Sequence, residues 1–152
     1  MVQVQTPSVN SGSQISQNPD SVVHRFFADF GAALTTGDIE KIKNCWGSPA
    51  FILGNSIQLV IKTEEDIARF FSGTRVQYTR RGIFEAIPEI ESIQWLTPKI
   101  ALVGVRWPYL GRDGEDLGEE SSCYTLKMDT KNVLHIYSVV MQGEHKEKQF
   151  TH

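Results

Sequence analysis

Cysteine is scarce in this chain: Cys45 and Cys123 are its two, far apart and without a Cys-x-x-Cys spacing. That excludes a disulfide-dense scaffold and a cysteine-based zinc site. Two readings stay open, a pair of buried free thiols in a reducing compartment or one long-range disulfide. Long hydrophobic runs are also missing, so no segment reaches transmembrane length. The start, "MVQVQTPSVNSGSQISQNPD", has neither the basic opening nor the apolar stretch of a signal peptide, and the expected location is cytoplasmic. Basic excess is lacking as well. With 15 Lys and Arg against 18 Asp and Glu the formal net charge is −3, which gives no global field to draw in nucleic acid or anionic lipid. His24, His135, His145 and His152 show no metal-ligand spacing. "DGEDLGEE" lacks the alternating oxygen ligands of an EF-hand and reads as an acidic hairpin turn. No P-loop, dinucleotide fingerprint or nucleophile elbow occurs. The expectation is a protein without metal or cofactor.

What is present is one domain's worth of amphipathic pattern. A chain of 152 residues, 40% hydrophobic and 22% charged, suits a single globular unit with a real core. Residues 1–18, rich in Ser, Gln and Asn, read as a flexible tail, and 144–152 as a second. The domain is therefore expected over 19–143.

Asn18-Pro19 is an N-cap followed by proline in the first helical turn. Val23, Phe26, Phe27, Phe30, Ala33 and Leu34 then recur on one helical face. Gly37 is placed to end that helix and Asp38 to cap a short second one, whose stripe Ile39, Ile42, Cys45 and Trp46 runs until "GSP". "AFILG" and "SIQLVIK" read as a hairpin around Gly54-Asn55. Thr63 caps a helix through "TEEDIARFFSGTRVQYTRRG", with Ile67, Phe70, Phe71, Thr74 and Tyr78 on one side and Gly73 as its weak point. Arg75, Arg80 and Arg81 read as cations near its C-terminus. After Gly82 the pattern turns to strands. "IFEAIPEIESIQWLT" reads as one long strand with a bulge or edge at Pro88, followed by "KIALVGVRWPYL", "SSCYTLKMD" and "VLHIYSVVMQ" as a meander. The fold class is α+β, with helices on one side of a sheet.

"FFADFGAALTTGDIEKIKNCW", "AFILGNSIQLVIK", the helix from Thr63 and the closing "VLHIYSVVMQ" together resemble the nuclear-transport-factor-2-like superfamily, within it the SnoaL-like and ketosteroid-isomerase-like domains. The resemblance spans roughly Pro19 to Gly143. It implies a cone in which a strongly curved, mainly antiparallel sheet wraps about three N-terminal helices around an apolar pocket. It also implies a homodimer through the outer sheet face. The residues add support for the dimer. In "VLHIYSVVMQ" one alternate set is Leu134, Ile136, Ser138 and Val140, the other Val133, His135, Tyr137, Val139 and Met141. Both are largely apolar, and a sheet that carries helices on one face leaves the other to a second subunit.

Enzymes of this superfamily often abstract a proton beside a carbonyl and hold the enolate with hydroxyl donors. Counting from the Gly37-Asp38 break, the ketosteroid-isomerase tyrosine falls on Phe30 and its aspartate base near Gly54. Neither side chain moves a proton, so that mechanism is not expected. The His-x-Asp pair of SnoaL-like cyclases falls on Ile136 and Ser138, with His135 one place off and on the opposite face. The candidate catalytic residues are His135, Arg106 and Tyr124. His135 has a competing reading as an interface histidine. Arg106 is either a clamp for a ligand carboxylate or, preferably, an ion pair with Glu85 or Glu89. The candidate pocket wall is Phe30, Trp46, Phe51, Phe71, Trp107, Ile136 and Ser138. Three functions follow: a domain binding a small apolar or amphipathic molecule, a cofactor-free lyase, isomerase or cyclase, or a protein-interaction module.

Overall fold

Helix α1 (Pro19–Thr36) begins where the Asn18 side chain accepts the backbone N–H groups of Asp20 and Ser21. It ends at Gly37, whose φ of 72° lets the chain reverse while the Asp38 N–H closes on the Ala33 carbonyl at 3.0 Å. Asp38 then accepts the Lys41 N–H and starts α2 (Ile39–Asn44), which buries Ile42. This computed structural model describes residues 18–144, so the expected tails lie outside the described residues apart from their innermost members. Trp46, expected on the helical stripe, instead opens β1 (Trp46–Leu53). The helix stops because the Cys45 carbonyl is taken by the Ile136 N–H at 2.8 Å, which draws the chain into the sheet.

Strand β2 (Gln58–Ile61) completes the hairpin, with Phe51 opposite Val60. The helix from Thr63 is two helices, α3 (Glu64–Phe71) and α4 (Thr74–Arg81), parted at Gly73. Thr63 and Asp66 form a capping box at the start of α3, whereas Gly73 has no side chain to cap α4. Arg80 and Arg81 lie in the last turn of α4, but Arg75 serves another helix: its Nη1 donates to the Thr35 and Thr36 carbonyls at the end of α1, at 3.2 and 3.1 Å.

"IFEAIPEIESIQWLT" also divides, into β3 (Glu85–Ala86) and β4 (Glu89–Trp95), both antiparallel to β5 (Ile100–Leu110). Pro88 sits at the break, where it has no N–H to give a ladder. Its ring packs on α1 so closely that a Cβ on Gly31 would lie 2.7 Å from Pro88 Cδ. Strands β6 (Asp116–Met128) and β7 (Leu134–Glu144) follow. The sheet order is β2-β1-β7-β6-β5-β3, with β4 also on β5; the β1–β7 pair is parallel and the others antiparallel. The result is an unclosed curved sheet over the helices, the α+β cone expected.

Alternation assigns the faces. On β5 the residues Ala101, Val103, Val105, Trp107 and Tyr109 are buried against the helices, so Arg106 points outward. On β7 the alternation breaks: Ile136 pairs with Leu126 but Ser138 pairs with Thr125, leaving Tyr137 as an extra residue. Leu134 and Ile136 are buried before this bulge and Val139 after it. The two sets of β7 residues expected on opposite faces are therefore exchanged half-way along the strand. Part of the apparent two-sided apolarity was a change of register. Outside, Phe51, Leu53, Val60 and Val140 nonetheless stand between 43 and 49% exposed.

Candidate functional site

A cleft of about 340 Å³ opens between α1, α3–α4 and the inner face of β5–β7. Its apolar wall is aromatic. Phe30 of α1 lies 5.9 Å from Trp107 and 6.4 Å from Phe71, centroid to centroid, and Trp46 lies 5.9 Å from Phe71. Helix geometry explains the first and third members: Phe30 is on the buried stripe of α1, and Phe71 closes α3. Trp46 Nε1 is buried, with no hydrogen-bond partner among the described residues.

The polar part is set by strand alternation. Glu120, Ser122 and Tyr124 follow one another on the inner face of β6, beside Trp107 and Tyr109 of β5. Trp107 Nε1 donates to the Tyr124 hydroxyl at 3.1 Å, and the Tyr109 hydroxyl donates to Glu120 Oε1 at 2.7 Å. Tyr78 of α4 faces Tyr109 with ring centroids 5.7 Å apart, and the Arg81 guanidinium lies 5.1 Å over the Tyr109 ring. Burial pushes the Tyr78 hydroxyl up to about 12, with the Glu120 charge adding to it. Tyr109 and Tyr124 are raised further, again mainly by burial. All three phenols stay protonated across the physiological range.

Five of the expected residues meet in this cleft: Phe30, Trp46, Phe71, Trp107 and Tyr124. The others do not line it. Phe51 is 49% exposed on the outer face, because β1 buries Ala50 and Ile52 instead. Ile136 is in the core, away from the cleft. Ser138 lies past the β7 bulge and donates to Thr125 Oγ1 at 2.7 Å. His135 is on the outer face, its Nε2 3.0 Å from Asp129 Oδ2 and its buried Nδ1 without a partner among the described residues. Arg106 is bound by three carboxylates: Glu89, Glu91 at 3.4 Å and Glu119 at 2.7 Å. The expected pairing with Glu89 is there, and the guanidinium faces away from the cleft. Gly54 lies in the β1–β2 turn, its N–H on the Ile57 carbonyl.

Sequence reasoning missed Tyr109, Glu120 and Ser122. Their signal was parity: Tyr109 follows Trp107 by two, and Glu120 and Ser122 precede Tyr124 by four and two. Both cysteines are free thiols, and burial pushes Cys45 up to about 11. Among the described residues no three His, Cys, Asp or Glu side chains gather as a metal site. None of the described helices is long and apolar enough to cross a membrane.

Residues 19–144 match a family described as NTF2-like protein (DUF6841). The chain belongs to the NTF2-like family. Solved structures share its fold at low identity. A cystatin-like-fold domain of unknown function from Nostoc punctiforme aligns with TM-score 0.68 and 14% identity, covering 86% of this chain and 80% of that one. An NTF-2-like protein of unknown function from Shewanella oneidensis gives 0.65 and 12%, over 83% and 100%. A ketosteroid isomerase-like protein from Erwinia carotovora atroseptica gives 0.61 and 11%, over 83% and 95%. No curated protein matches this NTF2-like chain by sequence. At such identities the similarity speaks for the fold alone, and function has to be argued from the cleft.

Proposed function

We propose that this NTF2-like domain binds a small amphipathic ring compound in its cone cleft. The observation that carries the reading is the mixed lining of the cleft. Aromatic side chains of Phe30, Trp46, Phe71 and Trp107 line it together with the polar groups of Tyr78, Tyr109, Glu120 and Tyr124, Glu120 lying beside Trp107 in the sheet. A volume near 340 Å³ is at the small end for ligand sites and suits one or two rings. An open cleft also weighs against a filled cone serving only as an interaction module. A proton-abstracting reaction would have to use Glu120, since His135 and Arg106 face away from the cleft.

The test uses prodan, a neutral two-ring dye whose emission moves to the blue in apolar surroundings. Gly73 lines the cleft, has an ordinary φ of −94°, and a Cβ there would meet nothing within 4 Å. Gly73→Trp therefore adds a bulky side chain at the cleft wall, to obstruct it, without straining the backbone. The expected result is a saturable blue shift in the native chain, kept in Gly73→Ala and lost in Gly73→Trp. Equal shifts in all three would refute the site.

The outer face calls for a separate proposal, a second copy of this chain. Phe51, Leu53, Val60 and Val140 lie there in adjacent register, Phe51 opposite Val60 and Leu53 beside Val140. Such a continuous apolar patch is costly to leave in water, and the two-fold arrangement commonest among oligomers would cover it with itself.

A further inference from the structure

Resting on the proposed cleft, we infer that its ligand is an aromatic amine, bound with the protonated nitrogen on the free oxygen of Glu120 and the ring among the aromatic side chains. Glu120 is the starting point. It is a carboxylate on the cleft wall, and an ionised carboxylate only accepts hydrogen bonds. Oε1 takes the Tyr109 hydroxyl at 2.7 Å. Among the described residues Oε2 has no partner. Half-buried at the rim, this oxygen is placed to receive a donor from whatever enters.

The surroundings select the kind of donor. Tyr78, Tyr109 and Tyr124 are neutral, so no second anion repels or competes. Phe30, Trp46, Phe71 and Trp107 line the same cleft, and the π-density of aromatic rings attracts a cation next to a carboxylate. The residue that argues for the opposite choice is Arg81, on the same rim. Its guanidinium lies over the Tyr109 ring, 5.1 Å from the centroid, and it has a further partner of its own. Arg81 is thus already engaged, whereas the Glu120 oxygen is open. An ammonium gains both the ion pair and the aromatic faces. An alcohol gains one neutral hydrogen bond, and a ligand carboxylate meets repulsion from Glu120.

Four probes with one naphthalene ring separate these cases: naphthalene, naphthylmethanol, naphthylmethylamine and naphthoate, titrated by calorimetry at neutral pH. The expected order is amine, alcohol, hydrocarbon, acid, with the amine about tenfold or more tighter than naphthalene. Glu120→Gln keeps the size and an oxygen for Tyr109 to donate to, so the fold is retained while the charge is lost. In that variant the amine should bind no better than the alcohol. An acid that binds as tightly as the amine, or an amine preference that survives in Glu120→Gln, overturns the inference and leaves the cleft standing. Failure of all four probes, naphthalene included, overturns both.

Discussion

Deleting one hydroxyl inside the cleft wall tests whether its polar groups are paired as described. In Tyr124→Phe the aromatic contacts remain, including the edge-to-face pair with Phe27 at 4.9 Å. What goes is the acceptor for Trp107 Nε1. Tyr124 is 6% exposed and Trp107 5%, and an indole N–H can only donate, so it is left buried and unpaired. That costs about 1–3 kcal/mol, more than a hydrogen bond's net worth, because the donor's desolvation is no longer offset. Tyr109→Phe is the internal comparison. It removes a hydroxyl from half-buried Glu120, whose oxygens can turn to water, and should cost about 0.5–1.5 kcal/mol. The assay is urea unfolding followed by far-UV circular dichroism. For a urea slope of about 2 kcal/mol per molar, Tyr124→Phe should lower the midpoint by roughly 0.5–1.5 M. A loss below about 0.5 kcal/mol, or a larger loss in Tyr109→Phe, would show that the indole finds another acceptor and refute the pairing.

Two further outcomes are expected on the outer face. Arg106→Met should leave prodan binding unchanged, because the guanidinium lies on the far side of β5, and should cost about 1 kcal/mol or less, as surface ion pairs do. Removing it leaves Glu89, Glu91 and Glu119 facing one another, so the loss should shrink at high salt; weakened prodan binding would contradict the assigned faces. Light scattering should find a dimer for the native chain and a monomer of unchanged circular dichroism for Val140→Lys. A native monomer at micromolar concentration removes the second-copy proposal.

The elements most legible in the sequence were those specified by local chemistry. Asn18, Gly37, Asp38 and Thr63 each act at a helix end through their own side chain or backbone, and each end is where those residues lie. The aromatic wall was legible for a related reason: Phe30 and Phe71 sit on helical stripes and Trp107 on a strand whose alternation is unbroken. Trp46 lines the cleft from a strand and not from the expected helical stripe, since that strand exists through a long-range bond from Ile136 to Cys45 that no local pattern announces. Phe51, Ile136 and Ser138 were misplaced because facing depends on pairing, which sequence periodicity does not contain.

The β7 bulge shows why the polar end of the site escaped notice. Simple alternation puts His135, Tyr137 and Val139 on one face of β7, opposite Ile136 and Ser138 of the expected pocket wall. The extra residue at Tyr137 separates them: Val139 and Met141 reach the cleft while His135 turns out toward Asp129. A second extra residue on β7, Gln142, falls between the Met141–Ser122 and Gly143–Ser121 pairs, and the extra residue on β6 lies between Asp116 and Glu119, so the run Glu120, Ser122, Tyr124, Leu126 stays in step with β5. Alternation unbroken along β5, and from Glu119 onward on β6, thus carries Trp107, Tyr109, Glu120 and Tyr124 to the same side as the helices. The strand carboxylate of the cleft comes from a stretch whose register is continuous, and Tyr78 and Arg81 join it from α4. The ionisable strand groups of the cleft are therefore Glu120 and its tyrosines, while His135 lies on the outer face with Asp129.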